Sequence, residues 1–210
     1  QLLPLPSLWL EQVRAQPVLT AGEYLDYSRT AFERHHGTAG GRVRYMLAPS
    51  GPQRCTDDLL VGATALAAEY DAEVHIHVLE TKTQAVTGDE LYGGRTLVEH
   101  LDDIGAMSPR TTFAHGIWVT DEDIERIARH GTSVSHNAIS NLKLGSGVLP
   151  WRRYHDAGVN LGLGTDGCSS SDTPRLVEVM KTAALLHKVT EPDLARWSTV
   201  DEVLRAATIG

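Results

Sequence analysis

Residues 74–81 read VHIHVLET, with His75 and His77 two apart and Glu80 three places beyond the second histidine. Further along come His115 in FAHG, His136 and Asn137 in SVSHN, and Asp166 in GLGTDG. Imidazole and carboxylate are the donors that a borderline divalent cation such as zinc takes in an open, catalytic site. A carboxylate just beyond such a ligand can also move protons as a general acid and base. Metal-assisted hydrolysis is therefore the chemistry these residue types could perform.

Whether they can act together depends on the elements that carry them. A strand alternates faces with period two, so His75 and His77 share one side. His77 stands nearer the strand end and can reach an ion at the rim. His75 lies one layer down, where a packing or supporting role fits better. Glu80 is too far along to share that face as a ligand, but at the strand–loop junction it can hang over the ion as a proton shuttle. Its other reading is a solvated loop carboxylate. A lone histidine at a strand end is more often structural than functional. Four successive strand ends that each carry a histidine or carboxylate (His77, His115, His136, Asp166) are harder to explain as packing.

The segments alternate in type. Helical patterns cover residues 21–35, 56–70, 94–105, 120–131, 149–157, 173–187 and 200–207, with Thr120 as a helix cap. Extended, apolar segments cover 42–49, 73–80, 111–116, 132–137 and 159–167. Strand–helix alternation predicts parallel βα units. Five strands in 210 residues fall short of a closed (β/α)8 barrel, which takes eight strands and about 250 residues. The expectation is an α/β fold forming the later part of such a barrel, about strands four to eight. The abrupt ends QLLPLPSLW and RAATIG fit an incomplete barrel, and an open five-stranded sheet is the alternative. In such folds active-site groups sit at the C-terminal strand ends, where the candidate residues fall.

The loop after the first of these strands, APSGPQRCTDD, brings Gln53 to the mouth. Its amide could pair in two directions with a heterocyclic amide or amidine edge, or it could cap the next helix. Trp151, Arg152 and Arg153 read as helix surface, and the acidic runs DDL and DEDIER as solvated helix starts. The formal charge of −8 speaks against a nucleic-acid or acidic-membrane partner. Two cysteines without a CxxC make neither a disulfide framework nor a cysteine–zinc module. With no run long enough to span a bilayer and no signal-like segment, a cytoplasmic location is the default.

VHIHVLET, FAHGIWVTDEDIERIARHGTSVSHNAISNLKLGSGVLP and GVNLGLGTDGCSSSD together resemble the amidohydrolase superfamily, within it the cytosine deaminase-like branch that includes triazine hydrolases. The resemblance runs from about residue 42 onward. It implies a single barrel domain over residues 1–210, incomplete because the H-x-H on strand one and the flanking β-sandwich are missing. It also implies that His77 lies on strand five, so that HIH only imitates the strand-one motif. The implied metal ligands are His77 and Asp166. The implied catalytic groups are Glu80, His115 and Asp166, with Gln53, Glu80 and His115 toward substrate. One divalent ion, zinc or else iron, would activate water to deaminate a nitrogen heterocycle (purine, pterin, pyrimidine or triazine-like). The alternatives are hydrolytic dechlorination of a related ring, or an inert metal-binding barrel. The partners implied are a small heterocyclic substrate and a second copy of the chain.

Overall fold

A computed structural model describes Glu11, Ala15 and residues 18–210 of the chain. The segment QLLPLPSLW lies outside the described residues. Four strands, β1 (Val74–Val78), β2 (Thr111–His115), β3 (Ser133–His136) and β4 (Leu161–Leu163), form one sheet in chain order. All three pairings are parallel. Besides a kinked four-residue segment at Thr38–Gly41, the helices among the described residues are α1 (Ala21–His35), α2 (Asp57–Glu69), α3 (Lys82–Leu91), α4 (Leu97–Asp103), α5 (Asp121–Arg129), α6 (Ala138–Lys143), α7 (Trp151–Asp156), α8 (Cys168–Ser171), α9 (Leu176–Thr190) and α10 (Val200–Ala206). The architecture is that of part of a (β/α)8 barrel, as the alternation predicts.

The fifth expected strand, residues 42–49, makes only a single bridge. Leu47 pairs with Val74, its N–H donating to the Glu73 carbonyl and its carbonyl accepting from the His75 N–H. Residues 42–44 and 46 are exposed, and Pro49 has no N–H to extend the ladder. Leu47 and Pro49 are buried there, Leu47 in a cluster with Phe32, Leu66 and Val74. The segment occupies the strand position beside β1 without forming a ladder.

Helix starts follow their caps. The hydroxyls of Thr20, Thr56, Thr120 and Thr199 accept from the N–H three residues on, with reciprocal capping boxes at Thr20, Thr120 and Thr199. Three helices lack a readable sequence period. In α3, polar residues fill most positions, and α6 and α8 are too short to show one.

Two rows of side chains define the sheet. Ile76, Phe113, Val134 and Leu161 pair in register, and all are buried in the main core beneath the helices. The alternate row, His77, Ala114, Ser135 and Gly162, faces the other way. It is the polar inner face.

Trp151 is 3% exposed and belongs to the main core, so its expected place on the helix surface is corrected. α7 turns its Trp151–Tyr154 face inward. Arg152, also expected on the surface, is mostly buried and bonds Glu202 and the Arg196 and Trp197 carbonyls. Arg153 does lie outward and pairs with Asp121. Asp123 of the run DEDIER is buried, accepting from the Thr120 N–H and the Thr96 hydroxyl.

Tyr154 is fully buried and donates 2.8 Å to the carbonyl of Gly116. Gly116 has φ +57°, and a Cβ there would sit 2.7 Å from that hydroxyl. Gly116→Ala should therefore destabilise the chain by about 2–5 kcal/mol, combining left-handed strain with overpacking. Tyr154→Phe, which leaves the carbonyl unpaired, should cost about 1–3 kcal/mol. Urea unfolding of both variants measures these values.

Candidate active site

The inner-face row ends at the C-terminal edge of the sheet with His77. Its Nδ1 donates 2.8 Å to the carbonyl of Ser50. A carbonyl can only accept, so the proton must sit on Nδ1, and Nε2 keeps a free lone pair. A backbone carbonyl on the far nitrogen is the usual support of a metal-binding histidine. His77 is exposed, whereas His75, one layer down, is half-buried. Burial, then the neighbouring His77 and His115, hold the His75 imidazole below the ordinary histidine value.

His115 reaches the site by a different route. It pairs with Val78, and strand parity would turn it toward the helices with Phe113. Instead its backbone has φ +75°, which swings the side chain off the pleat. Its ring stacks on that of His77 with centroids 5.6 Å apart. Nδ1 donates 2.8 Å to Oδ1 of Asn141, a buried residue of α6. That leaves Nε2 directed to Glu80, 3.8 Å from its Oε2. Leu79 and Asp166 also have positive φ, +51° and +59°. All three sit at or just past strand ends, the part of the fold where left-handed strain of about 1–3 kcal/mol per residue commonly marks function.

Asp166 accepts from the Ser140 hydroxyl and, at 2.7 Å, from the Gly167 N–H. Burial pushes its carboxyl up, but these hydrogen bonds and the nearby His115 outweigh it. The net effect holds Asp166 below the ordinary aspartate value, as an anion. Glu80 precedes α3, its N–H donating 2.7 Å to Oε1 of Gln84. Its Oε1 accepts 3.2 Å from the hydroxyl of Ser146. Gln53 sits on a 3-10 turn, Pro52–Arg54. Thr56, not Gln53, caps α2, and the Gln53 Oε1 is buried without a partner.

His136 does not belong to this group. Even parity along β3 turns it outward with Val134, where it is fully buried. Its Nε2 lies 3.1 Å from Nε2 of His187 on α9, and both rings pack against Trp151. The four strand ends are thus three functional candidates and one histidine of the core. Sequence reasoning also missed Asn141, Ser140 and Ser146. Their motif SNLKLGS carries no titratable group at a strand end, so the rule that found the others passes over them.

Among the described residues, no group of three or more histidine, cysteine or acidic side chains is arranged to hold a metal ion. The donors present still suit zinc: imidazoles with free Nε2 atoms and an anionic carboxylate at one edge of the sheet.

The profile of the Amidohydrolase family matches residues 18–210. The chain belongs to this family. Among curated amidohydrolase relatives, a 5'-deoxyadenosine deaminase of Methanosarcina mazei is 46% identical over 153 residues, 73% of this chain and 35% of the relative. Among solved structures, atrazine chlorohydrolase from Arthrobacter aurescens TC1 complexed with zinc superposes with TM-score 0.85 at 31% identity, covering 90% of this chain and 42% of that one. An adenosine deaminase from Xanthomonas campestris with bound zinc gives TM-score 0.83 at 31% identity, with the same coverage of 90% and 42%. This amidohydrolase chain therefore spans less than half the length of these relatives. No described helix is long and apolar enough to cross a membrane.

The buried pair beneath the site makes stability depend on pH. Burial, then Arg152, pushes His187 down to about 4. Burial, then His187 and His115, holds His136 well below 6.5. Both are neutral in the fold, and the unfolded chain binds more protons below about pH 6.5. Stability should therefore be full above that value and fall as pH drops toward 4. The His187 share is on the order of 3 kcal/mol. Unfolding in urea across this range should show a shallower slope for His187→Gln.

Proposed function

We propose that this amidohydrolase is a metal-dependent aminohydrolase that removes the exocyclic amine of a nitrogen heterocycle, with an adenine-type nucleoside as the preferred class. The observation that carries the reading is the convergence of His77, Glu80, His115 and Asp166 at one edge of the sheet, each with a partner that sets its protonation or orientation. The curated relative that deaminates 5'-deoxyadenosine and the zinc-bound adenosine deaminase support the substrate class.

His77 and Asp166 are the residues that would hold the metal, with His115 beside it. The full ligand set requires donors that these residues do not supply. When bound, a divalent metal such as zinc supplies activated water at neutral pH. The chain's own side chains do the remaining work. Glu80 delivers a proton to the ring nitrogen as water attacks the adjacent carbon. His115, protonated on Nδ1, offers its Nε2 lone pair to the attacking water. Asp166, ionised at neutral pH, takes a proton. Asp166 passes that proton to the exocyclic amine, the remaining hydroxyl proton returns to Glu80, and the collapsing tetrahedral carbon expels ammonia. Gln53, with its unpartnered oxygen, is suited to accept from a ring or amine N–H of the substrate.

Likeness to the atrazine chlorohydrolase supports a second reading, hydrolytic dechlorination of a related ring. Incubating the whole protein with an adenine nucleoside and with a chlorinated triazine, and assaying ammonia and chloride, separates the two. Release of chloride alone would overturn the first.

His77→Ala should strip the metal from the whole protein, while His75→Ala should leave metal content near wild type. Metal analysis of the two purified variants decides between the neighbours. Glu80→Gln should retain the metal and lower turnover by about 10²–10⁴-fold, the usual worth of a positioned acid and base. Affinity for a substrate analogue should change far less, because the loss falls on the transition state.

A further inference from the structure

Ser146 lies in the loop after α6, 66 positions from Glu80 in sequence, and is 4% exposed. All three of its polar groups are engaged. Its N–H donates 2.9 Å to the carbonyl of Asn141. Its carbonyl accepts 2.8 Å from the indole N–H of Trp118. Its hydroxyl donates 3.2 Å to Oε1 of Glu80. The next residue, Gly147, has φ +130°, and a Cβ there would come within 2.9 Å of the Ile117 side chain. The loop can approach so closely only because that position is glycine.

Asn141, which anchors the Ser146 N–H, also holds Nδ1 of His115 with its side chain. The end of α6 and the loop after it therefore orient two of the groups proposed to move protons. Asn141 sets the ring of His115, and Ser146 sets the carboxylate of Glu80. With Oε1 held by the hydroxyl, Oε2 is the oxygen left facing His115, at 3.8 Å.

We infer that Ser146 is a positioning residue for Glu80, fixing which carboxylate oxygen carries the transferred proton. The inference rests on the acid and base role of Glu80 proposed above. Ser146→Ala keeps both backbone hydrogen bonds and removes only the hydroxyl, so it isolates this contact.

Two measurements test it. The first needs no turnover: urea unfolding of the whole protein as Ser146→Ala, Glu80→Ala and the double variant. Direct contact predicts that the double variant is less destabilised than the sum, with a coupling of about tenfold in the unfolding constant. Additivity would show that the hydroxyl does not hold the carboxylate and would overturn the inference.

The second uses the whole protein. Ser146→Ala should lower kcat by about 10–100-fold with KM changed by less than about threefold, and should cause no further loss in a Glu80→Gln background. An equal loss in both backgrounds would show that Ser146 acts elsewhere. If Glu80→Gln alone left turnover intact, the acid and base reading would fall, and with it the catalytic meaning of Ser146. The coupling measured by unfolding would still report the contact itself.

Discussion

The site depends on His115 leaving the period of its own strand. In a pleated strand, side chains alternate strictly, and Phe113 directs that alternation into the helical layer. His115 continues the same parity, yet its ring stacks against His77 on the other face. The left-handed backbone at φ +75° makes this possible, at a strain of about 1–2 kcal/mol for a residue with a Cβ. The surrounding structure holds the conformation in place. The Gly116 N–H donates to the Val78 carbonyl, Ile117 and Trp118 both donate to Leu79, and the Gly116 carbonyl accepts from Tyr154. The strained turn is thus fixed from both of its neighbours.

This arrangement divides labour between the two faces of the sheet. The outer row of Ile76, Phe113, Val134 and Leu161 supplies the apolar burial that orders the strands. Because that burial does not involve the inner row, the inner row is free to carry histidines, serine and glycine. The functional groups are not held by packing. Each is set by a hydrogen bond from α6 or from a loop: His77 by Ser50, His115 by Asn141, Asp166 by Ser140 and Gly167, and Glu80 by Ser146. Directed bonds of this kind specify tautomer and oxygen as well as position, which packing cannot do.

The loops that supply these bonds are themselves anchored. Tyr92 donates to the Pro52 carbonyl and stacks on His100, with ring centroids 3.7 Å apart. His100 in turn bonds Asp57 at the start of α2. The turn bearing Gln53 is therefore tied to α3 and α4, not left as a free loop. Asp57, which sequence reading places on a solvated helix start, is half in solvent but carries this link.

Much of the fold was legible in the sequence because it follows from local rules. Threonine caps mark helix starts, apolar runs mark strands, and their alternation implies parallel βα units. Period two alone separated His77 at the rim from His75 beneath it. The strand-end rule erred at His136, which parity within β3 sends outward to His187 and Trp151. Period two would have erred at His115, which its strand-end position selected. The extended segment at residues 42–49 failed to form a ladder because extended propensity does not ensure a partner to pair with. Trp151 was misplaced because a six-residue helix shows too little period to reveal its buried face. Ser146 and Glu80 meet across 66 residues, and no local pattern records such a contact. The sequence by itself determined which residue types could do the chemistry and at which end of the strands they stand. Only the tertiary structure decided which of them face one another, because that choice is made by left-handed turns and long-range hydrogen bonds, where strand and helix periods no longer apply.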